Sequence, residues 1–156
     1  MIVVCPCTYR LRQETTVALA EISEVLAIPV HYEPMTEDRS YWALFHRLWH
    51  SGEPFLIVEH DIVPTVEQVR SLIECPEVFC AYGYEHEGDR TVALGCTKFG
   101  APLFDNYLLQ IPDWWAGERP PRWDEVDGWL HSILPPVHQH EGSVRHLKVG
   151  GRAYVS

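Results

Sequence analysis

Phe55-Leu56-Ile57-Val58-Glu59-His60-Asp61-Ile62-Val63-Pro64 is the stretch whose reading decides the fold. Four apolar residues, Phe55 to Val58, run without alternation. A strand buried on both faces reads this way, as in a parallel sheet covered by helices. Three polar residues follow at once. At the carboxyl end of a central strand they stand where open α/β sheets bind ligands. Glu59 and Asp61 flank one residue, and on an extended chain residues two apart point the same way. The pair can therefore face one hard cation or one ligand hydroxyl. Taken alone, such a pair is as readily a solvated turn at a strand end, so the rest of the chain has to decide.

The composition permits a real core. A chain of 156 residues buries roughly 70% of its unfolded surface without staples, and the length suits one domain over residues 1–156. With 46% hydrophobic and 12% aromatic residues the chain is globular rather than disordered. The 12 basic and 22 acidic residues give a net charge of −10. That balance argues against binding duplex nucleic acid, where Lys and Arg must replace phosphate counterions, and against electrostatic docking on an anionic membrane. No apolar run approaches the ~18 residues of a spanning helix. The opening Met1-Ile2-Val3-Val4-Cys5-Pro6-Cys7 has no basic segment and no small-residue cleavage site, so no signal peptide is read. Cysteines stand at 5, 7, 75, 80 and 96, an odd number without a C-x-x-C. Disulfide scaffolds and zinc ribbons are poorly supported, and buried thiols in a reducing cytoplasm are the expectation. Homo-oligomerisation is left open.

Around the central stretch the elements fall into order. Ile2 to Cys5 reads as a buried strand, followed by a loop over Pro6-Cys7-Thr8-Tyr9-Arg10. Residues 15–27 read as a helix, with Thr15 as its N-cap and Ala18, Ile22 and Val25 on one face. Val30 to Glu33 is a short strand closed by Pro34. Tyr41, Leu44, Phe45 and Leu48 follow helical spacing, with Gly52 just past the end; this aromatic stripe reads as core. Thr65-Val66-Glu67-Gln68 is a capping box opening a helix with Val66, Val69, Leu72 and Ile73 on its apolar face. Strands are expected over Val78 to Tyr82 and Thr91 to Gly95, and a short helix after Pro102 with Leu103, Tyr107 and Leu108. Residues 111–122, with Trp114 and Trp115, read as an irregular proline-rich loop. Asp124 opens a helix carrying Val126, Trp129, Leu130 and Ile133. His138 to His146 reads as a loop or short strand. The alternation of strand and helix in the first half implies parallel pairing with right-handed crossovers.

The order of these segments resembles that of small nucleotide-sugar glycosyltransferases of the GT-A fold. The similarity lies in Pro6-Cys7-Thr8-Tyr9-Arg10, Glu59-His60-Asp61, Ala93 to Gly100, Trp123-Asp124-Glu125-Val126-Asp127 and His138 to His146, and it spans most of the chain. It implies a single-domain α/β fold with a mixed, mainly parallel sheet flanked by helices. It also implies transfer of a sugar from a nucleotide diphosphate donor, a uridine or guanosine one, to a hydroxyl acceptor, with inversion. In that group a D-x-D-type motif holds a divalent metal on the diphosphate. Asp61 then stands as the metal ligand, and Glu59, in place of the usual Asp, reaches either the metal or the ribose. His140-Glu141-Gly142-Ser143-Val144-Arg145 is similar to an H-x-G-x-x-K segment, which implies His140 as a further ligand and Arg145 on the diphosphate. His138 and His146 are alternatives for the metal, because sequence does not set the phase of this segment. The resemblance further puts Thr8, Tyr9, Arg10, Glu33 and His60 at the donor, and Gly95, Lys98 and Trp123 in a loop against sugar and acceptor.

Elementary chemistry supports the same assignments. A leaving diphosphate gains charge that a hard cation stabilises, and carboxylate, imidazole and water suit Mn²⁺ or Mg²⁺. A carboxylate positioned below an acceptor hydroxyl can take its proton. The resemblance implies a general base among Asp124, Glu125 and Asp127 at this helix start; Asp124 is a good N-cap, and Asp127, one turn in, is the base candidate. His138 and His140 also make half of a zinc site, for which no thiolate pair is evident in the sequence. Two rival readings stand beside the transferase. One is a non-catalytic module for nucleotide sugar or metal, favoured by the short chain. The other is a metal-dependent nucleotidyltransferase or phosphohydrolase, which needs a more basic phosphate loop than Pro6 to Arg10 offers.

Overall fold

Strand and helix alternate through the first half of the chain as β1 (Ile2–Cys7), α1 (Gln13–Leu26), β2 (Val30–Pro34), α2 (Ser40–Ser51) and β3 (Phe55–Val58). Then follow β4 (Ile62–Val63), α3 (Val66–Glu74), β5 (Phe79–His86), β6 (Asp89–Thr91), β7 (Cys96–Phe99), α4 (Ala101–Asn106), α5 (Trp123–Ile133) and β8 (His138–His146). The computed structural model describes residues 1–8, 10–37, 39–86, 89–91, 94–107 and 123–147. Tyr9, Leu108, Trp114 and Trp115, singled out above, lie outside those residues, as does the side chain of Asp124.

The strands form one mixed sheet in the order β2-β1-β3-β7-β5-β8-β4, with β6 paired to β5. β1 pairs in parallel with β2 and β3, as the alternation implies. β7 inserts antiparallel between β3 and β5, which restores β5, and its parallel partner β8, to the direction of β3. Thus β1, β2, β3, β5 and β8 run one way, and β7 and β4 run against them. The expectation of a mixed, mainly parallel α/β sheet flanked by helices holds.

The unbroken FLIV run is explained by two cores. Phe55 and Ile57 face one with α2, α4 and α5; Leu56 and Val58 face the other with α1 and α3. Side chains alternate across a strand, so a strand covered on both sides needs apolar residues at every position. Phe55 stacks on Phe99 with ring centres 4.9 Å apart and lies against Phe45 at 6.0 Å. The aromatic stripe of α2, Tyr41, Leu44, Phe45 and Leu48, is core. The capping box at Thr65 forms in full, with Gln68 N–H donating to Thr65 Oγ1 at 3.2 Å and Thr65 N–H to Gln68 Oε1 at 2.9 Å.

Four local expectations are corrected. α1 begins at Gln13 after Arg12, so Thr15 lies inside the helix and is buried with Leu19 and Ile22, not at the cap. Val25 is 55% exposed, because the buried face turns through Leu19 and Ile22 instead. Residues 96–99 are not a ligand loop but the fully buried strand β7, whose side chains fill both cores. His138 to His146 is a strand of nine residues. Its register against β5 shifts between Ala81 and Gly83, where Gly142 takes the positive φ of 83° that an irregularity of this kind demands.

The two-sided burial of β3 predicts unequal costs for two apolar truncations. Phe55→Ala should lower the unfolding free energy by about 3–5 kcal/mol in urea titration. Val25→Ser should change it by no more than about 0.5 kcal/mol; a large loss there would mean that α1 buries another face.

Candidate functional site

β3 leaves the core at Glu59, and the chain turns at once. The Ile62 N–H donates to the Glu59 carbonyl at 3.0 Å, closing a turn over Glu59-His60-Asp61-Ile62. The Glu59 N–H donates to the Gly95 carbonyl at 3.0 Å. Gly95 sits there for lack of room, since a Cβ would meet the Tyr84 ring at 2.8 Å and Ile62 at 3.1 Å. A turn does not keep the alternation of an extended strand, so Glu59 and Asp61 part company and do not share partners.

Glu59 goes to the α2–α5 side. Its Oε1 accepts from the Tyr41 hydroxyl at 3.0 Å and from the Trp123 indole N–H at 2.6 Å. Trp123 and Tyr41 themselves stack with centroids 4.1 Å apart. Part of Glu59 by surface area reaches solvent, yet its carboxyl is crowded by protein. Burial pushes that carboxyl up to about 7, with the negative charges of Asp61 and Asp127 adding to the rise and the two donated bonds opposing it.

Asp61 goes to the β8 side. Its Oδ2 lies 3.3 Å from His146 Nε2, and its carbonyl accepts from the Leu147 N–H at 2.8 Å. The antiparallel register Ile62↔His146 is what brings them together. His146 lies against the Tyr84 ring at 4.9 Å. His60, between the two acids, has its pKa lowered by burial first; Asp61 opposes this, while Arg12, Arg10 and His146 add to it. The Arg12 N–H donates to the His60 carbonyl at 3.2 Å, and its buried Nε has no hydrogen-bond partner among the described residues. Asp127 stands one turn into α5, with Oδ1 3.2 Å from His131 Nε2, an approach not aligned as a hydrogen bond. It is near enough to Glu59, Tyr41 and Tyr84 to raise the pKa of each.

The turn at the carboxyl end of β3 thus gathers Glu59, Asp61, Asp127, His60, His146, Arg10 and Arg12. Several expected residues stand elsewhere. His140 lies not beside Asp61 but against Tyr82, at 4.9 Å, two residues earlier on β5. The irregularity in β8 takes up residues between the two histidines, so His146 is the one that reaches the turn. Arg145, next to His146 on a strand, points the other way and lines a surface groove between α1 and α3. Glu33 pairs with Arg47 at 2.8 Å. Lys98 is buried in β7 and donates to the Cys75 carbonyl. His138 pairs with Cys80 at the opposite end of β5 from Tyr84. Thr8 Oγ1 accepts from the Arg10 N–H at 3.2 Å and so shapes the loop. Trp123 opens α5 and holds Glu59. Sequence reading missed Tyr41, Tyr84 and Arg12. The two tyrosines carry no signal that separates them from core aromatics. Arg12 went unread because the helix it precedes was expected to begin at residue 15 rather than at Gln13.

Asp61 and His146 fit a hard divalent cation. Two ligands in cis on an octahedral ion at about 2.1 Å stand about 3 Å apart, close to the 3.3 Å between Oδ2 and Nε2. A carboxylate is the usual ligand of such an ion, and a neutral imidazole is a common metal ligand.

Compared with known proteins, the chain matches no protein-family model, and no curated protein matches it. A solved structure, the crystal structure of a glycosyltransferase involved in the glycosylation of the major capsid of PBCV-1, superposes with a TM-score of 0.51 at 13% identity. The match covers 90% of this chain and 82% of that one. The chain therefore has a glycosyltransferase-like α/β fold. No helix among the described residues is long and apolar enough to cross a membrane.

The raised pKa of Glu59 gives a pH prediction. Its folded value of about 7 lies above the ordinary 4.5, so the folded state holds the proton more tightly. The stability this group contributes is complete below the unfolded pKa and is lost as pH rises through the folded one. Glu59→Gln keeps an acceptor oxygen for Tyr41 and Trp123 but carries no charge. Melting temperatures with chelator present, from about pH 5 to about pH 8, should fall for the parent and stay flatter for the variant. Parallel curves would mean that Glu59 is ionised throughout.

Proposed function

We propose that the protein is a metal-dependent glycosyltransferase that moves a sugar from a nucleotide diphosphate donor to a hydroxyl acceptor. The observation that carries this reading is the pair Asp61 and His146, held 3.3 Å apart beside two further carboxylates at the carboxyl end of β3, in a glycosyltransferase-like fold. Ligands of open α/β sheets bind at that end of the strands.

A divalent cation bound by Asp61 and His146 supplies charge neutralisation for the leaving diphosphate. The chain supplies the remainder. Arg10 and Arg12, both close to His60, offer positive charge and directed donors to phosphate oxygens. Glu59, bonded to α2 and α5, fixes the turn that presents Asp61. Asp127 takes the acceptor proton while His131 faces its other side, and a single displacement of this kind inverts the anomeric centre. The rival reading of a non-catalytic module predicts the same donor binding without turnover, and the phosphohydrolase reading predicts turnover without an acceptor.

Calorimetric titration with a panel of nucleoside diphosphates tests the donor site. Binding should require Mn²⁺ or Mg²⁺, and Asp61→Ala and His146→Ala should each weaken it by roughly tenfold or more, while His140→Ala leaves it unchanged. Absence of metal-dependent binding to any member would overturn the assignment. Asp127→Asn separates the base from a helix-start acid. Its transfer rate at saturating donor should fall by roughly 10²- to 10⁴-fold, with donor affinity and melting temperature unchanged. An intact rate would remove Asp127 from the mechanism.

A further inference from the structure

We propose that Cys75, Cys80 and His140 form a second metal site, for a thiophilic divalent cation of the zinc class, at the amino end of β5. The two Sγ atoms and a ring nitrogen of His140 lie within 4.8 Å of one another. Ligands of a tetrahedral ion at about 2.0–2.3 Å stand roughly 3.3–3.8 Å apart, so small side-chain movements close the shell. Among the described residues no other group of three or more His, Cys, Asp or Glu side chains converges in this way.

The three ligands come from three elements whose positions are set independently. Cys75 caps α3, and its N–H donates to the Ser71 carbonyl at 2.9 Å. Cys80 is the second residue of β5 and fully buried. His140 is on β8, held against Tyr82. The parallel pairing of β5 with β8, with Cys80 opposite His138, sets His140 beside the thiols. The exposed His138 lies 5.3 Å from His140, ring to ring, at the solvent side where a fourth ligand enters.

Lys98 completes the chemistry. It lies directly across the ladder from Cys80, is 5% exposed, and donates to the carbonyl of Cys75. A buried ammonium beside two cysteines stabilises thiolates, and its bond to Cys75 fixes a ligand from behind, as outer partners of metal ligands do. Binding then replaces two S–H bonds by two S–metal bonds and releases two protons. Two thiolates cancel the charge of a divalent ion, so Lys98 faces a neutral cluster. The site is separate from the Asp61–His146 pair, since Cys80 and Tyr84 are about 13 Å apart along β5.

The test is cobalt(II) titration of the reduced, metal-free chain without oxygen. One equivalent should give near-ultraviolet thiolate charge-transfer absorption and visible bands of tetrahedral cobalt, both displaced by one equivalent of zinc. Cys75→Ser should abolish the charge-transfer band or reduce affinity more than about 100-fold, beyond what loss of an outer partner costs. Cys80→Ser should do the same where it folds, and the half-exposed Cys75 keeps the test decisive where it does not. His140→Ala should weaken binding while leaving the thiolate band. Asp61→Ala and His146→Ala should leave the spectrum unchanged, which separates this site from the donor site. A parent spectrum without thiolate charge transfer, or one that survives Cys75→Ser unaltered, would overturn the proposal.

Discussion

The rest of the structure depends on the burial of β3 on both faces. Phe55 to Val58 are inaccessible to solvent, and the strand ends where the acidic residues begin. The chain has to leave the core at Glu59, and it leaves by a hydrogen-bonded turn. That turn sits at the carboxyl end of the sheet, where its side chains meet α5 on one side and β8 on the other. The cost of an acid at such a place is large unless donors meet it. Tyr41 and Trp123 are those donors. Glu59 is therefore less a free ligand than the peg that ties the turn to two helices.

This arrangement separates roles that the residues alone do not distinguish. Glu59 is held in place, Asp61 is presented with His146, and Asp127 approaches from α5. Asp61 and Asp127 lie within electrostatic reach of Glu59 and add to the rise in its proton affinity that burial begins. Arg10 and Arg12 approach the same turn from the loop before α1, so the place pairs a cation-seeking centre with an anion-seeking rim.

The opposite end of the sheet has a different chemistry. There the polar groups are two thiols, an imidazole and a buried ammonium, gathered by the end of α3 and the first residues of β5 and β8. Soft donors at one end and hard donors at the other follow from the same ladder, because β8 runs parallel to β5 and carries its histidines along it. His140 and His146 lie on Tyr82 and Tyr84 respectively.

Much of this was legible in sequence. The FLIV run, the helical spacing of Tyr41 to Leu48 and the box at Thr65 are local patterns, and each formed as read, because burial face and capping depend on spacing within a few residues. That Asp61 stands in the turn after the central strand is also local, since it follows β3 by three residues. What sequence could not settle were relations across the fold. Whether His140 or His146 meets Asp61 depends on an irregularity in β8 and on the register of β4. Whether Lys98 faces a ligand or a carbonyl depends on β7 lying between β3 and β5. That Cys75 and Cys80 meet a histidine sixty residues later depends on the parallel pairing of β5 with β8. Sequence by itself determined the alternating α/β framework and its buried central strand, since periodicity is a property of neighbours along the chain. Only the tertiary structure decided which polar side chains converge, since strand register and direction are chosen by the packing of all the elements together.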